Sequence, residues 1–262
     1  MSACFISDLH LSDARLELIR AFCLLLARMD QQGCEKLYIL GDFFEAYIGD
    51  DYEPEWMEPI NDALKKFNSP VKRTYFLHGN RDFLVGETWA AKCGCLLLPE
   101  QYQVELDGIK LFLCHGDEFC VDDVAYQQFR ALVRSPQWQQ QTLALPITER
   151  LQLARKLRDD SRSQSSEKAS YIMDVNQGAI SERLAQEKAD LLIHGHTHRP
   201  NLHLNDKTPR LVLGDWDEFI WYAFLNMEEI RQYATSVSDL VGSNWDNVTQ
   251  RHHWQIAGKQ RE

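Results

Sequence analysis

Leu37-Tyr38-Ile39-Leu40-Gly41-Asp42 decides the fold: four apolar residues of strand character, then at once a glycine and a carboxylate. Short apolar runs rich in β-branched and aromatic residues read as buried strands. The same arrangement recurs along the chain. Ala3-Cys4-Phe5-Ile6 precedes Asp8-Leu9-His10, and Thr74-Tyr75-Phe76-Leu77 precedes Gly79-Asn80-Arg81-Asp82. Leu111-Phe112-Leu113 leads to His115-Gly116-Asp117, and Leu191-Leu192-Ile193 to Gly195-His196-Thr197-His198. A polar ligand just beyond a buried strand is held by rigid backbone yet points into a cleft, as a metal site requires. Together the five groups supply enough oxygen and nitrogen donors for two metal ions.

Between these strands the chain alternates with helices. Asp13 reads as an N-cap, and Leu16, Ile19, Phe22, Leu26 and Met29 follow at helical spacing until Gly33 stops the helix. A βαβ unit implies parallel strands with ligands at their carboxyl ends, where open α/β sheets place their sites. Asp107-Gly108, flanked by Gln103 to Leu106 and Ile109 to Leu113, is a hairpin turn signal. Arg210 to Gly214 and Phe219 to Leu225 read as closing strands.

Two segments differ in kind. From about Val124 to Ser170 the chain lacks strand alternation and reads as helices broken near Pro136 and Pro146, with eight Arg or Lys against four Asp or Glu. A basic segment between two ligand motifs of an acidic chain suggests a helical cap over the site; the bland reading is a solvated set of charges on amphipathic helices. Beyond about Tyr233 the chain turns polar and irregular, as a short helix or disorder would. The expected organisation is therefore a core of residues 1–123 and 171–233, a cap insertion of residues 124–170 and a polar tail of residues 234–262.

Size and charge narrow the classes. With 262 residues, 44% hydrophobic, the chain can bury one sizeable core plus an insertion. A net charge of −11 argues against a nucleic-acid partner, which calls for a basic field. No apolar stretch approaches the roughly 20 residues of a membrane span. A cleaved leader is not expected, since cleavage would remove Asp8 and His10. The seven scattered cysteines read as reduced and structural, with Cys114 packed in the core while its neighbour His115 faces the site. No feature calls for an obligate protein partner.

Asp and His suit divalent first-row metals, and the absence of thiolates among the motifs argues against a structural zinc site. A central carboxylate such as Asp42 can bridge two ions about 3.5–4 Å apart, the arrangement that supports in-line attack at phosphorus. His78 and His194 directly precede functional positions and read as packing groups. His203, His252 and His253 lie in polar sequence and read as surface residues.

The ordered set D-x-H, GD, GN, H and G-H-x-H resembles the calcineurin-like metallophosphoesterase superfamily over residues 8 to 198. That resemblance implies an α/β sandwich of two β-sheets flanked by helices. It places one ion on Asp8, His10, Asp42 and His198, and the other on Asp42, Asn80, His115 and His196. Many members carry a histidine general acid where this chain has Arg81. An arginine stays charged and cannot give up its proton, but its fork of donors clamps phosphate oxygens.

Several stretches are closer to one member family. Tyr38 to Asp51, His78 to Leu84, Ile172 to Gln177 and His194 to Pro200 are similar to the UDP-2,3-diacylglucosamine pyrophosphohydrolases of the lipid A pathway in Gram-negative bacteria. The resemblance implies hydrolysis of that nucleotide-sugar-lipid to UMP and 2,3-diacylglucosamine 1-phosphate, with two Mn2+, at the cytoplasmic side of the inner membrane. It implies a catalytic set of Asp42, Asn80, Arg81 and His196, with Asn80, Arg81 and His196 on the substrate phosphate. Asp123, Ser161, Ser165 and Lys168 would hold the glucosamine and acyl amides, Ser165 standing where relatives more commonly carry Asn. Leu132, Val133, Leu143, Leu145, Leu151, Leu153 and Leu157, beside Arg130, Arg134, Arg150, Arg155, Lys156 and Arg158, suggest peripheral docking of the cap on an anionic membrane surface. Rival readings are a broader-specificity phosphodiesterase or phosphatase, a nuclease with a more basic face, and a non-catalytic scaffold that would have lost ligands.

Overall fold

The computed structural model describes residues 2–167, 174–204, 209–226, 229–242 and 245–255. The five anticipated strand runs are all present: β1 (Ala3–Ile6), β2 (Lys36–Leu40), β3 (Arg73–Leu77), β6 (Ile109–Cys114) and β7 (Leu191–His194). The remaining strands are β4 (Leu96–Leu97), β5 (Gln101–Leu106), β8 (Asn201–His203), β9 (Arg210–Val212), β10 (Phe219–Leu225), β11 (Glu229–Ser236) and β12 (Thr249–Gln255). One sheet runs β12-β11-β10-β1-β2-β3-β4, the other β5-β6-β7-β9-β8. β1 to β4 are parallel, as are β6, β7 and β9, so the ligand-bearing ends of both sheets converge on one edge of the sandwich.

Strand alternation builds three layers of core. On β1, Ala3 and Phe5 point between the sheets, meeting Leu111, Leu113, Leu191 and Ile193 from the second sheet. Cys4 and Ile6 point the other way, onto α1 (Leu16–Gln31), α2 (Glu58–Phe67) and α3 (Glu87–Cys93). Phe112 and Cys114 face outward from β6 onto α7 (Gln177–Glu187) through Ile180 and Leu184. Cys114 thus packs in the core as expected, and all seven cysteines are free thiols. Asp107 and Gly108 turn the β5–β6 hairpin with positive φ at both residues, which suits an Asp-Gly pair.

Two expectations need correction and a third is met in part. The first helix starts at Leu16 with Arg15 at the N-cap and no side-chain cap, so Asp13 lies in the preceding turn. Leu16 is exposed; the buried face is Leu18, Ile19, Ala21, Phe22, Leu25, Leu26 and Met29, so Leu16 points off the face that packs on the sheet. The tail holds the short helix that is one of its two readings, but sets it between two strands. β11 runs to Ser236, α8 (Val237–Val241) packs Leu240 into the core, and β12 pairs antiparallel with β11. An edge strand with half its surface wet carries little apolar signal, and Thr249-Gln250-Arg251-His252-His253 has none.

Residues 124–167 form α4 (Val124–Val133), α5 (Pro136–Leu143) and α6 (Ile147–Glu167), broken at the two prolines. Asp123 and Ser135 cap α4 and α5 by accepting from the backbone N–H three residues on. No helix among the described residues is long and apolar enough to cross a membrane.

Candidate metal centre and substrate cleft

Each candidate ligand sits within four residues of a strand end, as the sequence indicated. The backbone there is unusual: Asp8, His10, Asp42, His196 and His198 all adopt positive φ, between 50° and 65°. The loops interlock through backbone bonds from Asp8 N to Gly41 O (3.0 Å), His10 N to Asp42 O (3.0 Å) and Gly195 N to His115 O (2.9 Å). The approach is close enough to require glycine. A Cβ on Gly79 would lie 2.2 Å from Asp42 N, and one on Gly195 would lie 2.1 Å from Asp8 Oδ2.

These contacts bring all seven candidate ligands together. Nε2 of His10 faces Nε2 of His198 at 3.5 Å, and that nitrogen lies 3.3 Å from Asp8 Oδ1. Nε2 of His115 is 3.6 Å from Asp42 Oδ1. Asn80 Oδ1 lies 3.0 Å from both His115 Nε2 and His196 Nδ1. Two donor groupings emerge, Asp8 with His10 and His198, and Asp8 with Asp42 and His115. Imidazole nitrogens and carboxylate oxygens aimed at shared points, without a thiolate among them, are the donor set of divalent first-row metals. The residues fit a pair of such ions.

The surroundings fix how the imidazoles present themselves. His115 Nδ1 donates to Leu40 O at 2.8 Å, leaving Nε2 free to ligate. His10 Nδ1 lies 3.1 Å from Glu45, and His198 Nδ1 lies 3.3 Å from Asp215. Asp82 is fully buried and accepts from Phe43 N and Gly79 N, both at 2.8 Å, binding the Asp42 loop to the Asn80 loop. Sequence reasoning assigned no role to Glu45, Asp82 or Asp215. Asp215 had a signal: Gly214-Asp215 follows a strand run, the same pattern as Gly41-Asp42.

Charge is concentrated here. Burial pushes the Asp42 carboxyl up, against the fields of His115 and His10. Burial acts on Asp8 too, but a hydrogen bond to His198 and the field of His115 hold it well below the usual carboxylate range. Burial would lower His115, yet Asp42, Asp8 and Asp117 raise it to about 9. His196, desolvated and beside His115, drops to about 4.

The cleft continues from the cluster beneath helices α4, α5 and α6 as a cavity of about 280 Å3. Asn80, Arg81 and Asp123 line it together with the apolar side chains of Phe83, Trp138 and Leu157. Tyr126 stacks on His196 with ring centroids 6.1 Å apart and donates to Asp117 at 2.7 Å. Ser161 lies at the rim; the Ser165 side chain and Lys168 fall outside the described residues. His78 bonds Val85 O at 2.7 Å and His194 accepts from Arg210 at 3.2 Å, so both are packing groups as anticipated.

Among the described residues, four basic side chains of α4, α6 and the turn after α4 are paired with the core. Arg150 is buried, with both guanidinium nitrogens on Asp51 and further bonds to Ile48 O and Leu145 O. Arg130, Arg134 and Arg158 pair with Asp117, Glu100 and Glu45. These pairs fasten helices α4 and α6 to acidic side chains of the core, while Arg155 and Lys156 are exposed.

A two-sheet sandwich carrying this cluster at converging strand ends defines a calcineurin-like phosphoesterase, and the chain matches that family over residues 1–200. Within the family it is 41% identical over 243 residues to the UDP-2,3-diacylglucosamine hydrolase of Tolumonas auensis, covering 91% of this chain and 98% of the relative. The enzymes of that name from Marinobacter nauticus (44% identical, 85% of this chain, 92% of the relative) and Haemophilus influenzae strain PittGG (42%, 88% and 96%) are similar to it as well. The chain belongs to the UDP-2,3-diacylglucosamine hydrolase family.

Proposed function

We propose that this chain hydrolyses the pyrophosphate of UDP-2,3-diacylglucosamine, giving UMP and 2,3-diacylglucosamine 1-phosphate. The observation that carries this reading is the cavity itself. Asn80 and Arg81 in its wall bring it to the cluster, and Phe129, Trp138, Leu153 and Leu157 of α4, α5 and α6 line it with apolar surface, the mixture a charged headgroup with acyl chains requires.

Asp8, His10, Asp42 and His198 are proposed to hold one ion, and Asp42, Asn80, His115 and His196 the other, with Mn2+ as the metal. When bound, two such ions supply Lewis-acid stabilisation of phosphoryl charge and activation of water. Asp42, a buried carboxylate grouped with Asp8 and His115, is the proposed bridge. Arg81, in the wall of the cavity beside Asn80, is proposed to clamp phosphate oxygens with Asn80 and His196. It donates no proton, so the leaving group must be stable as an anion; both halves of a pyrophosphate are, since a phosphate monoester has its second pKa near 6. Asp123 and Ser161, with Ser165 and Lys168, are the proposed glucosamine and amide contacts. Residues 124–170 then act as a cap unit on the core.

Exposed Val124, Leu132 and Leu143, with Arg155 and Lys156, support peripheral docking on the anionic cytoplasmic face of the inner membrane. The deciding experiment compares kcat/KM for UDP-2,3-diacylglucosamine with that for an alkyl phosphodiester of matched size. A strong preference for the anhydride is expected; comparable values would favour the broader phosphodiesterase reading.

A further inference from the structure

Arg134 ends the first cap helix, and its side chain is 10% exposed. Nη2 donates to Gly79 O at 2.8 Å, and Nη1 pairs with Glu100 at 3.0 Å. The guanidinium also lies over the Phe83 ring, 5.4 Å from its centroid, and Phe83 packs on Trp138 in the wall of the cavity. Arg130, one turn earlier, grips the other oxygen of Glu100 at 2.6 Å and reaches Asp117 at 2.8 Å. Two arginines on one helix turn and two carboxylates of the core thus form a closed clasp.

What the clasp holds is the Gly79 backbone. The Gly79 N–H donates to Asp82 and its carbonyl accepts from Arg134, so it is fixed at both ends. Its Cα faces Asp42 with no room for a Cβ. The Gly79 carbonyl and the Asn80 nitrogen belong to one planar unit. Fixing that carbonyl fixes the plane from which the Asn80 side chain departs, and Asn80 Oδ1 stands 3.0 Å from two imidazoles of the cluster.

We propose that Arg134 is a positioning residue for the reaction. Through it the cap holds the Gly79–Asn80 peptide in the orientation that lets Asn80 serve the metal cluster. The cap is therefore part of the metal centre as well as a roof over the substrate. This rests on the dimetal reading of the site, not on the identity of the lipid substrate.

Arg134→Met keeps length and contact with Phe83 but loses the donors; Arg134→Lys keeps charge and one donor without the fork. Mn2+ titrated calorimetrically into metal-free protein reads the site directly, and steady-state kinetics on UDP-2,3-diacylglucosamine reads the reaction. In Arg134→Met one of the two Mn2+ affinities should fall about 10–100-fold, the usual effect of removing a group that orients a ligand. The other affinity should hold, and kcat should fall with KM changed by less than about threefold. Arg134→Lys should restore part of both. Unchanged Mn2+ affinities in folded Arg134→Met, equal weakening of both sites, or a change in KM alone would overturn the proposal. Should Arg134→Met fail to fold, Arg134→Lys decides: partial weakening of one site supports the proposal and wild-type affinities refute it. A wild-type protein that binds two Mn2+ but leaves the lipid intact would sink the substrate reading alone, since the metal titration still tests Arg134.

Discussion

Asp82→Ala is the perturbation with the largest consequence that the site's geometry allows without touching a candidate ligand. Asp82 has no exposed surface, and its two oxygens accept from Phe43 N and Gly79 N at 2.8 Å, with Phe44 N further off at 3.5 Å. A hydrogen bond to a charged group contributes about 1.5–3 kcal/mol, so losing the two short ones costs about 3–6 kcal/mol. The truncation strands two backbone N–H groups beneath Asp42 and Asn80, where the packed glycine leaves little room for water. In a chain near this size each kcal/mol moves the melting temperature by about 2–4 °C, so Tm should fall on the order of 10 °C. Asp82→Asn keeps shape and one acceptor, and should lose about half as much. Far-UV circular dichroism followed with heat and, separately, with urea gives both numbers. Turnover should fall with stability, because the bonded residues adjoin Asp42 and Asn80. An Asp82→Ala protein melting within about 2 °C of wild type would refute the claim that this carboxylate holds the two loops together.

If Asp42 is the proposed bridge and His10 a ligand of one ion, Asp42→Ala should abolish turnover even at high Mn2+ whereas His10→Ala should be partly rescued; activity against metal concentration distinguishes them. Arg81→Ala should lose on the order of 100-fold in kcat/KM, as for other preorganised donors, with Arg81→Lys between it and wild type. Arg155→Glu with Lys156→Glu should weaken salt-sensitive sedimentation with anionic vesicles, and binding unchanged by that reversal would remove these residues from docking. Arg150→Glu should instead lower Tm, because it sets a carboxylate against Asp51 and leaves Ile48 O and Leu145 O without their buried donor.

The strands and the ligand groups at their ends are legible because a strand run followed by a ligand is a local pattern, complete within eight or so residues; the two-sheet sandwich and the seven-ligand set come from the resemblance of those ordered motifs to a known superfamily. Glu45, Asp82, Asp117 and Arg134 were not assigned their roles for the opposite reason. Asp82 meets Phe43 and Arg134 meets Gly79 across 39 and 55 positions of sequence, and no local periodicity encodes such a meeting. The basic composition of the cap was visible, but composition does not say which way a side chain points. Arg150 is the clear instance, charged and wholly turned inward. β12 escaped notice because a polar edge strand has the composition of a loop.

The left-handed backbone at five of the candidate ligands carries a thermodynamic debt. Each such residue other than glycine costs about 1–2 kcal/mol relative to ordinary conformations, less for Asp and His than for bulky side chains. Selection for stability alone would drift these positions toward glycine or asparagine, which sit comfortably at that geometry. Holding aspartate and histidine there keeps the resting protein below the robustness its core permits. The native sequence therefore records a compromise between durability and chemistry, concentrated in a handful of dihedral angles.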